Sequence, residues 1–115
     1  VLVTVESTDE ELFWLPGWLE TQLPRTVWYG TTVATVSHSI KKLIMSFLER
    51  TADDPKAEIA FKLHDFGARG VSSAESAGLG GCAHLTNFMG SDTIEALLFA
   101  RKYYGEPMAA FSIPA

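Results

Sequence analysis

A single cysteine, Cys82, stands in 115 residues. It cannot form an internal disulfide, and its isolation fits a reducing compartment. Basic residues are also scarce: Lys and Arg number 9 against 14 Asp and Glu, for a net charge of −5. No cluster of them forms the basic stripe of a nucleic-acid binder. No apolar run approaches the roughly 18 residues that a membrane helix needs. The start shows no signal-peptide pattern, and there is no internal repeat or low-complexity tract. From these absences we expect a cytoplasmic protein without nucleic-acid or membrane partners. What remains is 47% hydrophobic and 20% charged, the composition of one globular unit with a modest core.

Both ends are strand-like. The chain opens on Val1-Leu2-Val3-Thr4-Val5, without an initiator Met, and closes on Phe111-Ser112-Ile113-Pro114-Ala115. Native chains seldom begin and end inside such elements, so residues 1–115 are expected to be a single internal fragment of a longer enzyme.

Between the ends, strand and helix signals alternate. Thr8 and Glu11 have capping-box spacing and predict a helix carrying Leu12, Phe13, Trp14, Leu15, Trp18 and Leu19. Pro16 and Gly17 would interrupt it, and Pro24 would close the region. Val36, Ile40, Leu43, Ile44 and Phe47 recur at spacings of three and four, predicting a second helix over 32–51. A polar loop with Asp53, Asp54 and Pro55 follows, then a strand over 60–66. Ser72 and Glu75 predict a helix to about Phe88, so rich in Gly and Ala that it should pack very close to a neighbour. A short strand over 87–90 leads to Asp92, placed as an N-cap with Glu95 three residues on, and Gly105 should end that helix. The alternation indicates α/β architecture built from parallel β/α units.

Parallel β/α units present functional groups at the carboxyl ends of their strands. Two clusters fall there: His64-Asp65-Phe66-Gly67-Ala68-Arg69-Gly70 and Gly90-Ser91-Asp92-Thr93. On adjacent strands they would bring an aromatic ring, an arginine and a carboxylate to one pocket mouth, suited to a flat ring with a polar substituent beside an anion.

These stretches resemble the nicotinamide phosphoribosyltransferases. Lys62 to Ser73 looks like a signature of that family, and Ala83 to Thr93, Lys102 to Gly105 and Ser112 to Ala115 follow in register, with Thr4 to Asp9 and Val33 to Thr35 upstream. The resemblance covers essentially the whole chain. It implies transfer of phosphoribosyl from phosphoribosyl pyrophosphate (PRPP) to nicotinamide, giving nicotinamide mononucleotide and pyrophosphate in NAD salvage. It also implies an incomplete TIM-like barrel of the type II phosphoribosyltransferases and a homodimer with active sites at the subunit interface. By the same resemblance, Phe66 would stack on nicotinamide against an aromatic of the other subunit, and Asp92 would accept from the carboxamide. Ser112 would share the base site, Arg69 would face pyrophosphate, and His64, Ile113 and Ala115 would line the pocket or its tunnel. Mg2+ would accompany PRPP, and ATP would be an optional coupling substrate. The family's catalytic histidine would lie just beyond Ala115, so the fragment alone is expected to be inactive.

The residue types suit that chemistry. Arginine is a permanently charged fork for phosphate oxygens. An aromatic face holds a pyridine ring and favours it more as it becomes pyridinium. A carboxylate accepts from an amide and repels nicotinate's own carboxylate. Plainer roles stand beside these. Asp92 could simply cap its helix, Phe66 could be core, Arg69 a solvated charge and His64 a satisfied histidine. His84 should be structural, Asp65 a strand-end acceptor, and Trp14, Trp18 and Trp28 packing residues. Ala68 stands where relatives often have tyrosine, and Ile113 where valine is common. Three other functions compete with this one: a nicotinate phosphoribosyltransferase, a non-catalytic barrel relative acting as a scaffold, and a dinucleotide-binding module built on Gly78-Leu79-Gly80-Gly81-Cys82-Ala83. The last has its glycines inside a helix rather than at a strand-to-helix turn, where backbone N–H groups meet a pyrophosphate.

Overall fold

The computed structural model describes residues 1–112. Residues 1–7 carry no secondary structure and are mostly exposed, so the strand expected at Val1–Val5 is not formed. A strand needs a ladder partner for its N–H and C=O groups, and β-branched composition alone does not supply one. Asp9, rather than Thr8, caps the turn that follows: its Oδ1 accepts from Glu11 N at 2.9 Å, opening a 3-10 turn at Glu10–Leu12.

One helix, α1 (Leu15–Thr51), then runs where two were expected. Pro16 lies in its first turn, where a missing N–H costs nothing. Pro24 lies inside and does not close it. A proline removes the bond to the carbonyl four residues back and crowds it, a cost of about 3 kcal/mol, but the ladder on either side is intact. The face of α1 that packs is also rotated from the expected one. Ser37 and Leu48 are buried and Ile40 and Ile44 partly so, while Val36, Leu43 and Phe47 are exposed. Trp14, Trp18 and Trp28 keep 53%, 55% and 56% of their surface, so none of the three is buried in the core of the described residues.

Asp54 caps a short α2 (Pro55–Glu58) by accepting from Ala57 N at 3.1 Å. Instead of a strand over 60–66, the chain makes a 3-10 turn at Ile59–Phe61 and then β1 (His64–Asp65). A second 3-10 turn, Gly67–Gly70, leads to α3 (Ala74–His84), capped by Ser73 rather than Ser72, with Ser73 Oγ accepting from Ser76 N at 3.1 Å. The strand β2 (Gly90–Ser91) precedes α4 (Ile94–Tyr104), which stops at Gly105. Gly105 has φ 68°, the left-handed conformation that a glycine adopts at a helix end without a Cβ clash.

β1 pairs with β2 in parallel, His64 opposite Gly90 and Asp65 opposite Ser91. Phe111 makes a further parallel bridge to Gly90. Helix α3 therefore connects β1 to β2, and α4 connects β2 to the Phe111 bridge. All three extended segments run the same way, as the alternating pattern predicts, but each is only one or two residues long.

The core lies between α1, the 59–63 turn and the end of α3. Leu48, Ile59 and Phe88 are its buried centre, with Ile44, Met45, Ala52 and Leu63 against them. Asn87 ties this region to α1: its Nδ2 donates to Ala34 O at 3.0 Å, and its carbonyl accepts from Lys41 Nζ at 2.6 Å. The small residues of α3 do permit close packing. A Cβ on Gly81 would lie 2.6 Å from Ala96 Cβ on α4, and one on Gly80 would lie 2.8 Å from the Tyr29 hydroxyl on α1.

Candidate base-binding site

The parallel pairing brings the two strand-end turns together. Asp92 N donates to Asp65 O at 3.0 Å, extending the ladder one step past the strands. Asp65 then braces both turns with its side chain. Its Oδ1 accepts from Gly67 N at 2.8 Å, and its Oδ2 accepts from Ser91 Oγ at 3.0 Å. Ser91 Oγ in turn accepts from Thr93 N at 3.0 Å. Asp65 is thus the structural acceptor expected of it, with both oxygens engaged. The part of Ser91 in this brace had no signal in the sequence.

Asp92 is not the helix cap. Thr93 holds the N-cap position of α4, without a side-chain bond. The Asp92 carboxylate is used across the rim instead. Oδ1 lies 2.8 Å from His64 Nε2 and accepts from Ser112 Oγ at 2.7 Å. Three extended segments therefore contribute one residue each: His64 from β1, Asp92 from the end of β2, and Ser112 from just beyond the Phe111 bridge. Oδ2 has no hydrogen-bond partner among the described residues. The Ser112 hydroxyl, then the His64 ring, and at longer range the Arg69 charge hold the Asp92 carboxyl below its ordinary range.

Phe66 is next to this group and is not core. It keeps 52% of its surface exposed, and its ring centroid lies 4.6 Å from that of His64. Arg69 follows in the Gly67–Gly70 turn, exposed, near enough for its charge to be felt at Asp92 but without a direct bond to it. Ile113 and Ala115, expected to line a tunnel, lie outside the described residues. A cavity of about 270 Å3 opens behind the β1 turn, lined by His64, Asp65, Phe66, Tyr29, Ser76 and His84 among others. A larger, mostly apolar groove of about 680 Å3 runs between α1, α3 and α4, past Leu79, Cys82 and Met89. It contains none of the rim residues.

His84 is structural, as expected. It is buried, its Nδ1 lies 2.9 Å from Ser37 Oγ, and its Nε2 lies 3.2 Å from Leu63 O. Burial pushes its pKa down, partly offset by the Leu63 carbonyl and then Asp65. The glycines of the loose dinucleotide pattern all fall within α3, away from any strand-to-helix turn.

The sequence pattern of the nicotinate phosphoribosyltransferase (NAPRTase) family matches residues 61–115, the part that contains the whole rim. A nicotinamide phosphoribosyltransferase from Xanthomonas campestris pv. campestris is 61% identical over 115 residues, which is 100% of this chain and 24% of that protein. Residues 61–115 thus carry the pattern of the nicotinate phosphoribosyltransferase family. Two further relatives bear the same name. The one from Acinetobacter baylyi is 33% identical over 99% of the chain and 23% of its own length. The one from Mycoplasma pneumoniae is 42% identical over 81% of the chain and 21% of its own length. The chain therefore spans about a quarter of the relatives it matches. Within that quarter, the family's pattern coincides with β1, β2, α3, α4 and the turns that carry His64, Phe66, Arg69, Asp92 and Ser112.

Proposed function

We propose that these residues form the base-binding rim of an enzyme that transfers phosphoribosyl from PRPP to nicotinamide, releasing pyrophosphate. The observation that carries the reading is the Asp92 carboxylate, held through Oδ1 by His64 and Ser112 and open at Oδ2, beside the exposed ring of Phe66. A carboxylate kept ionised is an acceptor for an amide NH2 and repels a carboxylate. Phe66 offers a face for the pyridine ring, favoured further as positive charge develops on it. Arg69 answers the negative charge that grows on the leaving pyrophosphate.

A nicotinate substrate is the second reading, favoured by the name of the family whose pattern matches. Asp92 weighs against it, because bringing nicotinate's carboxylate beside a carboxylate costs repulsion that nicotinamide avoids. The incomplete TIM-like barrel and the interface-sharing homodimer belong to the same proposal. The three parallel segments joined by α3 and α4 are compatible with one sector of such a barrel. Mg2+ would be expected on the phosphates of PRPP, which it bridges while keeping several waters. No helix among the described residues is long and apolar enough to cross a membrane.

The test compares the full-length protein with its Asp92→Asn variant, following mononucleotide formation from PRPP with nicotinamide and, separately, nicotinate. The proposal expects the wild type to use nicotinamide and the variant to lose most of that preference, by roughly 10- to 100-fold in the kcat/KM ratio. A wild type that prefers nicotinate would sink the assignment of the base.

A further inference from the structure

Asp92 can discriminate between bases only if its carboxylate is fixed in place and remains charged. The His64 ring bears on both conditions, and its two nitrogens have different surroundings. Nε2 lies 2.8 Å from Asp92 Oδ1, a separation that requires a proton between them. Nδ1 is buried and has no hydrogen-bond partner among the described residues. It lies against strand β2 where that strand has no side chain: a Cβ on Gly90 would be 2.5 Å from Nδ1. The Phe66 ring covers part of the imidazole. A proton on Nδ1 would be a buried, unpaired N–H, which costs about 1–3 kcal/mol and more when the ring is charged.

We propose that His64 is a positioning residue for base selection: a neutral imidazole with its one proton on Nε2, it fixes Asp92 through Oδ1 and leaves Oδ2 as the open acceptor. The proposal rests on the reading of the site given above. Neutrality gives the device its value. A histidine cation would also orient the carboxylate, but it would cancel the charge by which nicotinate is refused. A neutral donor orients and leaves the charge in place. Ser112 completes the hold from a separate segment, so two donors reach one oxygen and the other is left for the ligand.

Two amide substitutions separate this role from simple packing. A glutamine side chain brings its nitrogen to the position of Nε2, whereas asparagine reaches only the position of Nδ1. In the full-length protein, His64→Gln should keep the KM for nicotinamide within about threefold, and His64→Asn should raise it by roughly 10-fold or more. The KM for PRPP should be unchanged in both. Nitrogen-15 NMR of the wild-type imidazoles should show a neutral Nε2–H signal at neutral pH that disappears in His64→Gln. Equal KM changes in the two variants, or a His64 signal of the imidazolium or the Nδ1–H form, would overturn the proposal. A wild type without nicotinamide turnover would instead overturn the substrate reading, and the two failures are distinguishable because the nitrogen signal needs no substrate.

Discussion

Asp65 ends β1 and Asp92 follows β2, one register step apart on the paired strands, yet the two are used in opposite ways. Asp65 spends both oxygens inside the protein, on Gly67 N and Ser91 Oγ, and draws the two turns together. Asp92 anchors one oxygen to His64 and Ser112 and leaves the other unpaired among the described residues. The β1 turn is thus a brace with a free aromatic, and the β2 turn a presented acceptor. Two like residues one register step apart diverge because one meets donors with both oxygens and the other with one.

The largest effect that sharpens this contrast should come from removing each carboxylate in the full-length protein. Asp65→Ala leaves two donors without their acceptor and should cost about 2–3 kcal/mol of stability, read as a fall in Tm. Asp92→Ala, at an exposed position, should barely move Tm while impairing use of nicotinamide. Equal losses of Tm would erase the distinction between brace and acceptor.

A smaller effect concerns pH. The Asp92 carboxyl is held below its ordinary range, chiefly by the Ser112 hydroxyl. A depressed folded-state value means that the anion, and what it contributes, is fully present above the unfolded value of about 3.9 and fades as pH falls through the lower folded value. Carbon-13 NMR of the Asp92 carboxyl should therefore give a midpoint below that of an ordinary aspartate, and Ser112→Ala should move it upward. A midpoint unmoved by Ser112→Ala would mean that the hydroxyl does not hold the carboxylate in solution.

The smallest effect probes the scaffold rather than the rim. Ser73→Ala removes the N-cap of α3 and should cost about 1 kcal/mol, by denaturant unfolding, with the base preference untouched. A changed preference would show that the rim depends on the start of α3 as well as on its own bonds.

Much of the frame was legible from local patterns. The start of α3 came within one residue, from a serine followed by a glutamate, and the stop at Gly105 came from a glycine after an apolar repeat. Capping and termination depend on neighbours three or four positions away, so spacing reveals them. Pro24 predicts a break that α1 does not have, because a proline's local cost is visible in a sequence whereas the intact helix on either side of it is not. The strands are shorter than their composition suggests for a related reason: apolar, β-branched residues permit extension, but only a partner's hydrogen bonds make a ladder.

By itself, the sequence determined the alternation of extended segments and helices, the glycine-rich close packing of α3 and the grouping of His64, Phe66, Arg69 and Asp92 at strand ends. Asp92 could as well have capped α4, since a carboxylate at a helix start serves its own N–H groups or distant donors equally well. Tertiary structure decided between them. Parallel pairing of β1 with β2, and the bridge from Gly90 to Phe111, bring His64 and Ser112 to the same oxygen from 28 and 20 residues away. No spacing rule reaches that far along the chain, because strand pairing rather than local geometry sets those distances.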